Sequence, residues 1–456
     1  MHSFRYRDGH LYCEDVDLAR VAENLGTPVY VYSAGTILDH YARLDIALQS
    51  LDRLICYAVK ANSNRAILKL LAGAGAGFDI VSGGELYRVL AAGGDAAKCT
   101  FAGVGKSREE IEYALEQRVY SFNVESEAEL EQINRIAGLK EKRAPIALRV
   151  NPDVDPHTHE YISTGSHENK FGIALDRISA IYEEAAKMRN VEIVGVQMHI
   201  GSQIAEAKPF ASAIEKVAPI VRELKSKYGI KFLSIGGGMG IVYRRALESG
   251  SGRWWHDHGG DSFAFSVRDY AEAIVPPLRD LGVRILVEPG RFLVGNAGVL
   301  LTRVRYIKQT GDKRFAIVDA GMNDLIRPSL YHSYHEIVPV EEPSRSDKVG
   351  RDRRGAGDDS IASMSTSKIK SLEKIDIVGP VCESGDFFAL DREMPELHEG
   401  DLLAIMSAGA YGFAMASNYN SRPLSAEALV RGNKFALIRK RQTWEDLVSD
   451  EIDPNW

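Results

Sequence analysis

The sequence predicts an α/β protein, a (β/α)8 barrel of the TIM type followed by a second, mainly antiparallel β-sandwich or barrel domain. From about residue 54 to 288, runs that are apolar throughout alternate with longer amphipathic segments. That is the pattern of a parallel sheet buried on both faces beneath helices. Eight such runs follow one another, a number that suits a closed barrel better than an open doubly wound sheet. Past about residue 295 the chain changes to short runs joined by turns, as antiparallel strands require.

In order, the N-terminal stretch 8–32 precedes the first barrel strand and is expected to pack on the β domain. Barrel strands are expected at LICYAV (54–59), FDIVS (78–82), CTFAG (99–103), YSFNV (120–124), PIALRV (145–150), VEIVGVQM (191–198), FLSIG (232–236) and RILVE (284–288). Between them, REEIEYALEQ (108–117), ESEAELEQINRIAG (125–138) and DRISAIYEEAAKM (176–188) repeat their apolar residues at helical spacing. Residues 299–321 are hairpin-like and turn at Gly311-Asp312. IDIVGPVC (375–382), DLLAIMSAG (401–409) and KFALIRK (434–440) continue as β segments. The expected domains are a barrel over 35–290 and a β domain from 1–34 with 291–456. Residues 341–373 are charged, rich in Ser and Gly and almost free of large apolar residues, which predicts a mobile loop.

Bulk properties narrow the function classes. The chain has 456 residues, 45% of them hydrophobic, enough for a sizeable core and two or three domains. A net charge of −7 with both signs interspersed gives no reason to expect nucleic acid as a partner. Cys13, Cys56, Cys99 and Cys382 are scattered without a CxxC pair, which argues against a disulfide framework or structural zinc and fits a reducing compartment. The N-terminus lacks the apolar run of a signal peptide, and no stretch is long and apolar enough to span a bilayer. A cytoplasmic protein without membrane contact is the expectation.

The chemistry is expected at the C-terminal ends of the barrel strands, where Lys60, Asp79, His199, Gly236 and Glu288 fall. In YAVKANSNR (57–65) an apolar run delivers Lys60 into a polar loop. A partly desolvated strand-end amine is a usable nucleophile for an aldehyde cofactor such as pyridoxal 5'-phosphate (PLP), although most such lysines simply snorkel to the surface. LSIGGGMGIVY (233–243) places Gly236, Gly237, Gly238 and Gly240 directly after a strand, where a backbone can approach a phosphate. The plainer reading is a tight loop, and the spacing fits neither a dinucleotide nor a P-loop motif. VQMHIGSQI (196–204) sets His199 and Ser202 beyond another strand. A lone histidine is more often structural, yet this one is placed to cover a cofactor ring. VEPGRFLV (287–294) ends the last strand with Glu288, then the Pro289-Gly290 turn, then Arg291. A carboxylate at a pyridine nitrogen would keep that nitrogen protonated and the ring a strong electron sink.

YAVKANSN, FDIVSGGEL, NPDVDPHTHEYISTG, NKFGI, MHIGSQI, GGGMG, EPGRFLV, CESGD and GAYGFAMASNYN occur in this order across almost the whole chain. Together they resemble the fold-type III PLP-dependent decarboxylases. The resemblance implies a barrel plus a β domain, with Lys60 holding PLP covalently and His199 stacked on its ring. It implies Ser202 and the loop of Gly236 to Gly240 at the phosphate and Glu288 at the pyridine nitrogen, with Asp79, Pro289 and Gly290 beside the cofactor. Arg291, Arg327, Tyr331 and Tyr411 are then expected at substrate, with Arg291 and Tyr411 also at the cofactor. Cys382 and Glu383 are expected to enter the site from the other subunit of a homodimer, so that Lys60, His199 and Cys382 form the catalytic set.

Residues 246–266 and 341–373 look longer than this family usually carries, without interrupting a motif. His157/His159 and His256/His258 form two His-x-His pairs, but both lie in Pro- or Gly-bounded loops without further ligands, so no metal is expected. The expected reaction is decarboxylation of meso-2,6-diaminopimelate to L-lysine, because Arg291 and Arg327 suit a carboxylate and Glu383 an ammonium. Decarboxylation of ornithine, arginine or carboxynorspermidine on the same fold is the alternative. A racemase is disfavoured by Glu288, since related racemases place an arginine at the ring nitrogen. A non-catalytic relative is disfavoured by the retention of Lys60 and the Cys382-Glu383 pair.

Overall fold

The computed structural model describes residues 2–155, 170–251, 254, 265–342 and 372–456. Eight parallel strands close into a barrel: β1 (Arg53–Ala58), β2 (Gly77–Ile80), β3 (Cys99–Phe101), β4 (Ser121–Val124), β5 (Ala144–Asn151), β6 (Val191–Met198), β7 (Phe232–Ser234) and β8 (Arg284–Val287). Each pairs with the next, and β8 returns to β1 through Ile285–Arg53, Leu286–Leu54 and Val287–Ile55. β2 and β4 are buried along their whole length, which explains why they read as unbroken apolar runs.

Most strands end one or two residues before their apolar runs do, because the last residues already belong to the loops at the barrel mouth. In the first unit, Val59–Ala61 form a 3-10 turn that carries Lys60. Several βα loops then close on a serine N-cap, which stops the loop and starts the helix. Ser82 caps Gly83–Ala91, and Ser126 caps Glu127–Leu139. Ser107 and Glu110 form a full capping box for Arg108–Gln117.

The second domain is one mixed, mainly antiparallel sheet. Its strands run in the order Phe387–Met394, Glu373–Val378, Lys313–Val318, Gly298–Thr310, Val29–Ser33, Ala426–Arg431 and Lys434–Arg439. Leu402–Ile405 also pairs with Gly298–Thr310. The hairpin turn lies at Gly311-Asp312, between the paired Thr310 and Lys313, with Gly311 at φ +58°. Two pairings are parallel: Lys313–Val318 with Glu373–Val378, and Val29–Ser33 with Ala426–Arg431. The N-terminal segment therefore does more than pack on this domain, since it supplies a central strand. One apolar core runs from the barrel into the second sheet, from Tyr30 and Tyr32 through Phe78 and Phe122 to Leu403.

Most of 341–373, the two His-x-His pairs and most of 246–266 lie outside the described residues. Among the described residues no helix is long and apolar enough to cross a membrane.

Candidate active site

A cavity of about 210 Å³ opens at the C-terminal mouth of the barrel, against the second domain. Lys60, Asp79, His199, Ser202, Gly237, Gly238, Glu288, Pro289, Gly290 and Arg291 line it from the barrel, and Arg327, Tyr331 and Tyr411 from the second domain. The expected residues are brought together with four exceptions: Gly236, Gly240, Cys382 and Glu383.

Lys60 reaches the cavity because β1 stops two residues before it and the 3-10 turn lifts it over the rim. Its Nζ donates to Asp79 Oδ2 at 3.1 Å, while Asp79 itself is 1% exposed on β2. Burial works against the ammonium, but Asp79, Tyr411 and Glu288 together hold its pKa above the ordinary lysine value.

Glu288 stands just past β8 and is fixed from below. Its Oε1 accepts from Ser234 Oγ at 2.6 Å, and its Oε2 accepts from Gln197 Nε2 at 3.2 Å. Burial and the neighbouring Asp79 push its pKa up to about 7, against the pull of Ser234, Lys60 and Gln197. Such a carboxyl can share a proton with a ring nitrogen at neutral pH. Gln197 and Ser234 are fully buried polar residues of β6 and β7, and neither was among the expected site residues.

His199 follows β6. Its Nδ1 accepts the Gly237 N–H at 3.2 Å, and burial together with Arg149 and Lys60 keeps its pKa well below the ordinary value. A neutral imidazole presents a face on which an aromatic ring can stack.

The glycine loop is shaped by close approach. A Cβ on Gly237 would lie 2.2 Å from the Glu288 carbonyl oxygen, and one on Gly238, at φ +111°, 2.5 Å from that of Gly201. The Gly236 N–H is spent on Ser234 Oγ and the Gly240 N–H on the Ile204 carbonyl. Gly240 faces a separate groove on the outside of the barrel. Among the described residues the N–H groups of Gly238 and Met239 have no acceptor, and both residues line the cavity beside Ser202. An anion can sit there.

The other half of the cavity carries two cations. Arg291 Nη2 donates to Ser202 Oγ at 3.0 Å, and its guanidinium lies 4.9 Å from the Tyr411 ring centre. Arg327 opens the short Arg327–Tyr331 helix, donates to Ser333 Oγ at 3.3 Å and lies 5.7 Å from the Tyr331 ring. The two arginines are 5% and 6% exposed, and neither meets a carboxylate among the described residues. Each also keeps a buried Nε without an acceptor.

Cys382 and Glu383 are exposed and lie away from this cavity. The Cys382 N–H donates to Asn420 Oδ1 at 2.8 Å, and Glu383 Oε2 accepts from the Tyr419 hydroxyl at 2.9 Å.

These features fit PLP: an amine for its aldehyde, a carboxyl for its nitrogen, a neutral ring for its face and a glycine cradle for its phosphate. Residues 34–295 match the family described as pyridoxal-dependent decarboxylase, pyridoxal binding domain. The diaminopimelate decarboxylase of Pseudomonas aeruginosa is 47% identical over 99% of both chains. The diaminopimelate decarboxylase of M. jannaschii, solved with L-lysine, superposes with a TM-score of 0.85 at 35% identity, covering 99% of this chain and 98% of that one. That of Helicobacter pylori, also solved with L-lysine, gives 0.82 at 39% identity over 95% and 98%. The barrel, the cavity and these likenesses agree that the chain belongs to the diaminopimelate decarboxylase family of PLP-dependent decarboxylases.

Proposed function

We propose that the protein removes one carboxyl group of meso-2,6-diaminopimelate as CO2 and leaves L-lysine. The observation that carries this reading is the pair of buried guanidiniums, Arg291 and Arg327, opening on the cavity of Lys60 and Glu288 with no carboxylate among the described residues to meet either. An unpaired buried cation is costly, and a ligand that brings its own far-end carboxylate completes the pair. Ornithine and arginine bring none there. The L-lysine held by the M. jannaschii and H. pylori relatives retains that carboxylate, which supports the same reading.

When bound, PLP supplies the electron-withdrawing ring that stabilises the charge left on Cα as the carboxylate departs. We assign Lys60 to hold its aldehyde carbon, with Asp79 keeping the amine in place beforehand. Ser202 and the glycine loop, chiefly Gly238 with the Met239 N–H, hold the phosphate, and Pro289 and Gly290 close the wall behind. His199 covers one face as a neutral ring. Glu288, braced by Gln197 and Ser234, holds a proton against the ring nitrogen. Arg291, Arg327 and Tyr331 orient the substrate, and Tyr411 packs against Arg291. Cys382 and Glu383 complete the site from the partner subunit of a homodimer, the thiol as a catalytic group and the carboxylate as acceptor for the far-end ammonium. The positions of this pair, exposed and outside their own cavity, support that assignment. A cytoplasmic location belongs to the same reading, supported by four free cysteines.

The test is product analysis with meso-diaminopimelate, ornithine and arginine, following CO2 and the amine. Diaminopimelate should be strongly preferred. Faster decarboxylation of ornithine or arginine would overturn the assignment.

A further inference from the structure

Tyr243 is absent from the cavity wall, yet it touches both substrate-side arginines. Its hydroxyl accepts from Arg291 Nη1 at 2.5 Å, and its ring centre lies 5.9 Å from the Arg291 guanidinium carbon and 5.5 Å from that of Arg327. The ring cannot swing freely. It packs edge-on against His335 at 5.1 Å and 80°, and His335 is itself anchored by donating from Nδ1 to the Met406 carbonyl at 2.9 Å. Two buried guanidiniums repel each other, and among the described residues no carboxylate relieves them. An aromatic face and a phenol oxygen are what the chain places at that point. Burial alone would raise the Tyr243 hydroxyl's pKa, but Arg291 and Arg327 override it and bring it below the ordinary tyrosine value. His335 adds no third cation, since burial and Arg327 lower its pKa to about 3.

We propose that Tyr243 is a positioning residue for carboxylate recognition, holding Arg291 and Arg327 side by side so that both can meet the far-end carboxylate of the ligand. The proposal rests on the assignment of these two arginines to that carboxylate. Tyr243 does not line the cavity and acts through the two arginines.

The test uses the PLP-loaded enzyme and equilibrium binding by calorimetry. L-Lysine carries the far-end carboxylate, whereas cadaverine has the same two amines without it. In the wild type, lysine should bind more tightly than cadaverine. Tyr243→Phe keeps the ring and its packing on His335 but removes the acceptor for Arg291. It should weaken lysine roughly tenfold, the loss expected for a hydrogen bond to a charged group, and leave cadaverine within about twofold. In an Arg327→Ala background the same substitution should cost lysine binding clearly less, because one member of the pair is already gone. Unchanged lysine affinity, equal weakening of both ligands, or full additivity with Arg327→Ala would each overturn the role of Tyr243. A wild type that binds lysine no better than cadaverine would instead overturn the carboxylate assignment beneath it.

Discussion

Asp79 holds Lys60 from the neighbouring strand, carboxylate to amine at 3.1 Å, with the carboxylate 1% exposed and the amine facing the cavity. A buried acid of this kind keeps the lysine positive and fixes its direction, whereas attack on an aldehyde needs the neutral amine. Asp79→Asn should therefore shift the pH midpoint for PLP uptake by cofactor-free protein downward by about one unit or more. An unchanged midpoint would show that Asp79 does not set the amine's protonation.

Borohydride reduction of the loaded protein should fix the cofactor on the peptide containing residue 60. Lys60→Ala should lose this label. Recovery of the label on any other lysine would remove Lys60 from its assigned place.

Glu288→Gln replaces a proton-sharing carboxyl with a neutral amide of the same shape. Turnover should fall by on the order of 100-fold or more, the scale seen when a single preorganised electrostatic contact is removed. Cofactor content, read by absorbance, should stay close to normal, since Lys60 and the glycine loop are intact.

The same carboxyl makes a prediction about stability. Its pKa is about 7 in the folded protein against an ordinary 4.5, so the unfolded chain releases this proton at lower pH. Its contribution is therefore fully present below about pH 4.5 and is lost as pH rises through 7. In cofactor-free protein the Tm of Glu288→Gln should gain on the wild type between pH 5 and pH 8, by a free energy of up to about 3 kcal/mol. A difference independent of pH would mean that Glu288 titrates normally.

Arg327→Ala should raise KM for meso-diaminopimelate roughly 10- to 100-fold, as expected for loss of a charge-assisted hydrogen bond. PLP retention should be unaffected. Loss of the cofactor together with substrate affinity would place Arg327 at the phosphate instead.

Mixing inactive Lys60→Ala and Cys382→Ala proteins should restore part of the activity, because a hybrid dimer with a shared site carries one intact pair. Absence of recovery after verified subunit exchange would count against a contribution from the partner.

The barrel was legible because strands such as β2 and β4 are buried on both faces and leave unbroken apolar runs between amphipathic helices. Lys60, His199 and Glu288 were legible because each is a polar residue that ends such a run. Gln197 and Ser234 left the same kind of signal one step earlier, as polar side chains inside VEIVGVQM and FLSIG, where nothing but the barrel interior can receive them. Tyr243 was harder to see, since a tyrosine after GGGMGIV reads as ordinary core. Gly240 was expected at the cofactor with the other glycines, yet its N–H serves Ile204 and it turns away from the cavity. Sequence gives the glycines and not the direction of their amides. The expectation that Cys382 and Glu383 enter a partner's site rests on family resemblance and on their distance in sequence from the barrel motifs, because no periodicity within one chain describes a surface between subunits.

The Val29–Ser33 strand sits between Gly298–Thr310 and Ala426–Arg431, so the earliest part of the chain waits for nearly the latest before its sheet is whole. During synthesis the barrel strands emerge in between. The cofactor side of the cavity comes from that barrel, while Arg327, Tyr331 and Tyr411 belong to the half that cannot settle until residue 426 and beyond have left the ribosome. The PLP-binding wall and Arg291 thus leave the ribosome ahead of Arg327, Tyr331 and Tyr411, and the grip on substrate is completed last.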